Sequence, residues 1–227
     1  MSYSYYEVYN NTLRAFKGLN FPYGVDEDSA YIITWLELYN LKGLKIFSSN
    51  LHKYDQKFDG IINYNISNNS FDLKNKSTLM VGPNLIDYIL TKILKNNELF
   101  FEFNNCSYFI FFIPLLVKLI NKNIFCIIKN KNNIVCSINK EKISITNCIT
   151  ENINVRKNFQ IYFNKNQNLK YNLDININLN FSIQKLNVGL KPNKSDWEKI
   201  SKIAFRTYVP ESEKSRERGA GGGDDND

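Results

Sequence analysis

The chain has 227 residues, 43% hydrophobic and 14% aromatic, which suits one domain with a sizeable buried core. Its net charge of +7 reads first as part of a coding bias toward Lys, Asn, Ile, Phe and Tyr, and the lysines are scattered rather than striped along one helix, so no nucleic-acid partner is expected. The start lacks the basic region and apolar run of a signal peptide, and the most apolar stretch, residues 108–128, is broken by Pro114, Lys118, Asn121, Lys122 and Asn123, so a cytoplasmic protein without a membrane span is expected.

Ser4 followed by Glu7 is the pairing in which each side chain satisfies a free amide at a helix start, and apolar residues recur after it at Tyr5, Tyr9, Leu13 and Phe16. Gly18 is expected to end this helix in the left-handed conformation. Asp26, Glu27 and Asp28 then open a second helix, since acids favour the positive end of the helix dipole. It runs to about residue 41 and ends at Gly43, so residues 1–45 form a helical hairpin. A polar stretch with a turn at Asp59–Gly60 leads to a third helix, starting near Asn84 after Gly82–Pro83, whose apolar face is Leu85, Ile86, Ile89, Leu90, Ile93 and Leu94.

Beyond it the sequence turns to sheet. Strands are expected at 99–103, 124–129, 134–138 and 143–148, with a short helix at 114–121 carrying proline in its first turn. From 171 to 183 every odd position is apolar, being Tyr, Leu, Ile or Phe, and every even one is Asn, Asp or Ser; this two-residue period predicts one long antiparallel strand with odd side chains inward. After Pro192, Ser195 and Glu198 form a second capping box for a helix with Trp197, Ile200, Ala204 and Tyr208. The expected class is α+β: a largely antiparallel sheet with an N-terminal helical hairpin, and a C-terminal helix plus Gly-rich tail. Residues 1–209 make one domain (1–45 hairpin, 46–190 mostly sheet, 195–208 helix) and 210–227 a polar tail.

The C-terminal end carries the most chemistry. Only five of the 29 basic residues are arginine, yet Arg206, Arg216 and Arg218 fall in the last 22 residues, with four of the ten glycines. Arginine grips a carboxylate or phosphate with a planar fork where lysine is a mobile point charge, so this cluster points to an anion. Ser212 and Ser215 add hydroxyls, and the amides of Gly219 and Gly221 can form an anion-binding concavity. Docking on a partner or solvation as a free end are the competing readings. Asp224, Asp225 and Asp227 could ligate a hard cation, but contiguous acids are ordinarily solvated, and no metal is assigned. The four cysteines have no close pair that would encode a redox dithiol or a zinc site, and His52 has no nucleophilic companion.

Glu7 to Gly43, with Arg14, Gly18, Pro22, Gly24, Glu27 and Trp35, and the ending Thr207-Tyr-Val-Pro-x-Ser-x-x-Ser-Arg-x-x-Gly-Ala-Gly through Asp225-Asn-Asp227 together resemble an uncharacterised bacterial family, domain of unknown function 3726. The resemblance covers about a third of the chain and names no reaction; it implies that both ends belong to one functional unit. Gly222-Gly223-Asp224 departs from the pattern where a bulkier residue is expected. The site is therefore expected where Arg206, Tyr208, Ser212, Ser215, Arg216, Arg218, Gly219 and Gly221 meet Arg14 and Glu27. The expected function is a small-molecule enzyme or ligand-binding protein for an organic-acid-like anion, or else a non-catalytic subunit whose tail completes a partner's site. Reaction type and cofactor are open, and a homo-oligomer is compatible with either.

Overall fold

A computed structural model describes residues 2–65, 69–151, 157–165, 171–179 and 182–208. The helices are α1 (Tyr5–Gly18), α2 (Val25–Leu38), α3 (Gly43–Ser48), α4 (Leu51–Tyr54), α5 (Thr78–Ile93), α6 (Ile113–Lys118), α7 (Asn147–Glu151), α8 (Ser182–Val188) and α9 (Lys194–Ala204). Interleaved with them are strands β1 (Asn63–Asn65), β2 (Ser70–Asp72), β3 (Glu98–Cys106), β4 (Phe125–Asn130), β5 (Asn133–Ile138), β6 (Lys142–Ile145), β7 (Lys157–Asn164) and β8 (Ile175–Asn178). They form one sheet in the order β1-β2-β3-β7-β4-β5-β6-β8, antiparallel at every pairing except β2 with β3.

One face of the sheet builds the core. Phe101, Phe103, Phe159, Ile161, Phe163, Cys126, Ile128, Cys136, Ile143 and Ile145 are all buried, and they alternate with more exposed neighbours such as Phe100, Glu102, Gln160 and Tyr162. The inner face meets the turn of helix at 109–112, where Phe109 stacks on Phe159 at 4.0 Å between centroids and Phe112 lies 5.6 Å from Phe103. Helix α5 packs on β3 and on that turn, α2 packs on α5, and α1 and α9 lie beyond it. The helices thus cover one face of the sheet.

Several local expectations change. The strand expected at 171–183 is only β8, four residues long, and Ser182 already belongs to α8. The alternation itself holds where it can be seen: Ile177 is buried while Asn172, Asp174, Asn176 and Asn178 are exposed, because β6 supplies a ladder only for Ile175 to Asn178. β6 stops at Ile145, and Cys148 lies in α7. Central strand β7 went unread, although Phe159, Ile161 and Phe163 carry the period of two; Asn- and Lys-rich flanks masked it.

Glycine and proline account for the other corrections. Gly18 does not take a left-handed φ; Asn20 does, at 65°. A Cβ on Gly18 would lie 2.5 Å from the carbonyl oxygen of Ile203, so this glycine admits α9 against α1. Gly43 starts α3 rather than ending α2, and a Cβ there would sit 2.3 Å from the Ile33 carbonyl oxygen. Helix α5 begins at Thr78, capped by Ser77, and carries Pro83 inside it. Proline has no amide for the Leu79 carbonyl one turn back. That carbonyl instead accepts from the buried Ser29 hydroxyl at 3.1 Å, so the helix continues through the proline. At α9 the cap is Asn193, whose side chain accepts from the Ser195 amide at 2.9 Å.

Candidate functional site

Residues 3–14 and 190–208 meet on the helical layer. Tyr3 and Leu190 form a backbone bridge, each amide donating to the other's carbonyl at 2.9 and 2.7 Å, and Tyr3 stacks on Trp197 at 4.2 Å. Asn11 donates to the Ser201 hydroxyl at 3.0 Å, and the Ser48 hydroxyl donates to Asp196 at 2.5 Å. These contacts seat α9 between α1 and α3 and deliver the chain to Tyr208.

There the Arg14 guanidinium donates to the Tyr208 hydroxyl and lies 4.9 Å from the centre of its ring. Arg206 donates to Asp55 at 2.7 Å. That hydrogen bond lowers the Asp55 pKa and raises that of Arg206; both side chains remain partly exposed, so the pair contributes little to stability. Arg14, Arg206 and Tyr208 are therefore gathered at one corner, but the Arg206 fork is engaged by an acid that sequence reasoning did not assign to the site.

Glu27 is exposed on the first turn of α2 and is not a partner of Arg14, Arg206 or Tyr208 among the described residues. Its charge, after burial, helps to raise the pKa of Tyr9, together with Asp26 and Asp28. Asp28 pairs with Lys118 at 2.7 Å. Asp26 is buried with one carboxylate oxygen on the Glu27 amide at 2.8 Å. Ser212, Ser215, Arg216, Arg218, Gly219 and Gly221 lie outside the described residues, as do Asp224, Asp225 and Asp227.

A second region, unforeseen from sequence, has the clearer geometry. Asn40 and Lys42 both take left-handed backbone, with φ of 60° and 56°, turning the chain sharply between α2 and α3. The Leu44 amide donates to Glu37 at 3.0 Å, fixing the corner. Burial pushes the Glu37 pKa up, the Leu44 amide pulls it down, and the charge of Asp196 raises it further. Across from this corner lie α7 and β8, and between them is a groove of about 570 Å³. Its walls carry Asn40, Lys42, Lys45, Ser49 and Asn50 on one side and Asn147, Thr150 and Ile175 on the other. Among the described residues no carboxylate belongs to the lining; Asp174 accepts from the Asn147 backbone amide at 2.8 Å beside it.

Asn50 continues into the interior. It is buried, and its amide meets the Tyr108 hydroxyl at 2.7 Å and the Ile46 carbonyl at 2.7 Å. Lys53 donates to the same tyrosine. Tyr108 has a φ of 57°, a costly conformation for a bulky residue, and the Thr78 hydroxyl holds its carbonyl at 2.6 Å. No periodicity marks Lys42, Lys45, Asn50, Lys53 and Tyr108 as partners. Only the fold, which sets Tyr108 just past the end of β3 against Asn50 and Lys53, joins them.

A further hollow, about 550 Å³, lies on the outer face of the sheet beside Phe100, Phe125, Ile127, Lys129 and Tyr162. Phe100 and Tyr162 stack there at 5.4 Å, and the Lys129 ammonium lies 4.8 Å from the Tyr162 ring centre. It offers apolar rings where the groove offers polar donors. Among the described residues no three His, Cys, Asp or Glu side chains gather as a metal site, and no helix is long and apolar enough to cross a membrane.

Residues 3–75 match the family model described as a protein of unknown function, DUF3726. That family's span takes in Arg14, the α2–α3 corner, Asn50, Lys53 and Asp55, whereas the C-terminal motif lies outside it. No curated protein matches the chain. Among solved structures, an E. coli protein described as a malate/lactate dehydrogenase is similar with a TM-score of 0.62 at 8% identity, over 93% of this chain and 96% of that one. A sulfolactate dehydrogenase from Methanocaldococcus jannaschii is similar with a TM-score of 0.60 at 9% identity, over 90% and 97%. At such identities the likeness is one of fold.

Proposed function

We propose that this chain is an enzyme or ligand-binding protein for a small organic acid, held in the groove between the α2–α3 corner and α7. One observation carries the reading: Lys42 and Lys45 share a hollow with Asn, Ser and Thr side chains, and with no lining carboxylate among the described residues. Its volume suits a small ligand, and paired ammonium groups with neutral donors suit a carboxylate. The names of the two similar structures, malate/lactate and sulfolactate dehydrogenase, refer to small organic acids, which supports that ligand class.

In this proposal the C-terminal segment supplies a second set of anion donors. Arg14 and Tyr208 hold the chain on α1, and Ser212, Ser215, Arg216, Arg218, Gly219 and Gly221 follow within thirteen residues. Titration with malate, lactate and sulfolactate tests the reading. Lys42→Ala with Lys45→Ala should abolish binding at unchanged melting temperature, and Arg216→Lys with Arg218→Lys should weaken it through loss of the guanidinium fork. Full binding by the double lysine variant would refute the groove.

A second reading, a subunit that acts with a protein partner, draws support from the exposed Phe100–Tyr162 pair on the outer sheet face. A chain that sediments as a monomer and is unaffected by Tyr162→Glu in its native host would count against it.

A further inference from the structure

We infer that Asn50 reads an oxygen of the bound acid, and that Tyr108, with Lys53 behind it, is a positioning residue that fixes the Asn50 amide for that task. This rests on the groove reading above.

The hydrogen bonds have one consistent direction. The Ile46 carbonyl only accepts, so the Asn50 atom 2.7 Å from it must be the amide nitrogen Nδ2. The carbonyl oxygen Oδ1 of Asn50 then faces Tyr108, and the phenol must donate to it across 2.7 Å. Lys53 has no acceptor and donates to the phenol oxygen. The chain therefore runs Lys53 to Tyr108 to Asn50 to Ile46, donor to acceptor throughout. Turning the amide over would set two oxygens against each other at Ile46.

That arrangement leaves one valence. Nδ2 carries two hydrogens, and Ile46 uses one. The other has no bond among the described residues, although Asn50 is buried and lines the groove with Lys42 and Lys45. A buried donor held without a partner gains most from an acceptor that arrives with the ligand. A carboxylate at the two lysines that carries a second oxygen, as a hydroxy or oxo acid does, supplies it.

The cost at Tyr108 points the same way. A bulky residue in the left-handed region is held there only by its surroundings, and here Thr78 fixes the carbonyl while Lys53 and Asn50 fix the phenol. These bonds hold the phenol on the Asn50 amide.

The test uses the full-length protein with ¹⁵N-labelled asparagine, titrated with L-malate, with succinate as the analogue lacking the hydroxyl, and with sulfate. The side-chain signals of Asn50 are assigned through Asn50→Ser. In the wild type one Asn50 amide proton should shift with malate and much less with succinate, which should bind about tenfold more weakly, the weight of one hydrogen bond. Tyr108→Phe keeps the ring and should retain the fold by near-ultraviolet circular dichroism. It should bind malate about tenfold more weakly and bring malate and succinate close together. Lys53→Met should show the same change in smaller degree. If malate binds but the Asn50 signals stay still, or if Tyr108→Phe keeps its preference for malate, the inference is overturned while the groove stands. If malate, succinate and sulfate all fail to bind the wild type, both are overturned. Should Tyr108→Phe unfold, the wild-type shift and the malate-to-succinate ratio in Lys53→Met decide.

Discussion

Replacing Gly18 with Ala sets two effects of opposite sign against each other. In an exposed helix the change would stabilise by up to about 1 kcal/mol, because alanine loses less conformational freedom. Here the new methyl would sit 2.5 Å from the Ile203 carbonyl oxygen and 3.3 Å from an Ile203 side-chain carbon. The nearer atom is backbone in the last turn of α9, so relief requires the helix to move as a body, whereas a side chain could simply rotate. Overpacking of this kind costs about 1–3 kcal/mol, so a net loss of roughly 1–2 kcal/mol is expected after the gain in propensity. For a chain of this size that is a fall of about 2–8 °C in melting temperature. Calorimetry of Gly18→Ala beside the wild type measures it, and Gly18→Val should fall further. A raised melting temperature for the alanine variant would show that α1 and α9 do not approach as described. Such a result would also loosen the Arg14–Tyr208 contact, which depends on the same packing.

The Leu79 carbonyl offers a cycle: Ser29→Ala removes its donor and should cost about 1–3 kcal/mol, while Pro83→Ala restores the helix amide, so the Ser29→Ala loss should shrink in that background; equal losses in both would refute the role given to Ser29. Ile177→Asp places an unpaired charge at a buried position opposite Ile143 and should cost several kcal/mol; a soluble variant with an unchanged melting temperature would contradict the inward register of β8. Burial raises the pKa of Cys106, Cys126 and Cys136, so a thiol reagent at neutral pH should modify the half-buried Cys148 first and the others only on unfolding; early modification of Cys106 would be the contrary result. The Asp55 carboxyl has its pKa lowered by Arg206, so its stabilising effect is present above the unfolded carboxyl pKa and is lost as pH falls through the lower folded value. Asp55→Asn should flatten the acid limb of the melting curve slightly, and an identical acid limb would remove the pair from the account.

The sequence by itself determined the elements whose signals are local. The Ser4–Glu7 capping box forms as read, with Glu7 receiving the Ser4 amide at 2.7 Å and the Glu7 amide donating to Ser4 at 3.2 Å, because both partners lie within one turn. Period-two and helical patterns likewise gave the α+β class, most strand positions and the apolar face of α5 except Leu94, which caps the helix and is exposed. Tertiary structure decided whatever depends on a partner distant in the chain. β8 is short because β6 offers only a short ladder, and Gly18 is required by a helix 185 residues further on, at Ile203. α5 passes through Pro83 because Ser29 reaches its carbonyl. The candidate groove follows the same rule. Arg14 and Tyr208 could be singled out by residue type and do touch, while Arg206 pairs with Asp55; Lys42, Lys45, Asn50 and Tyr108 have no shared period, and the fold alone brings them to one place.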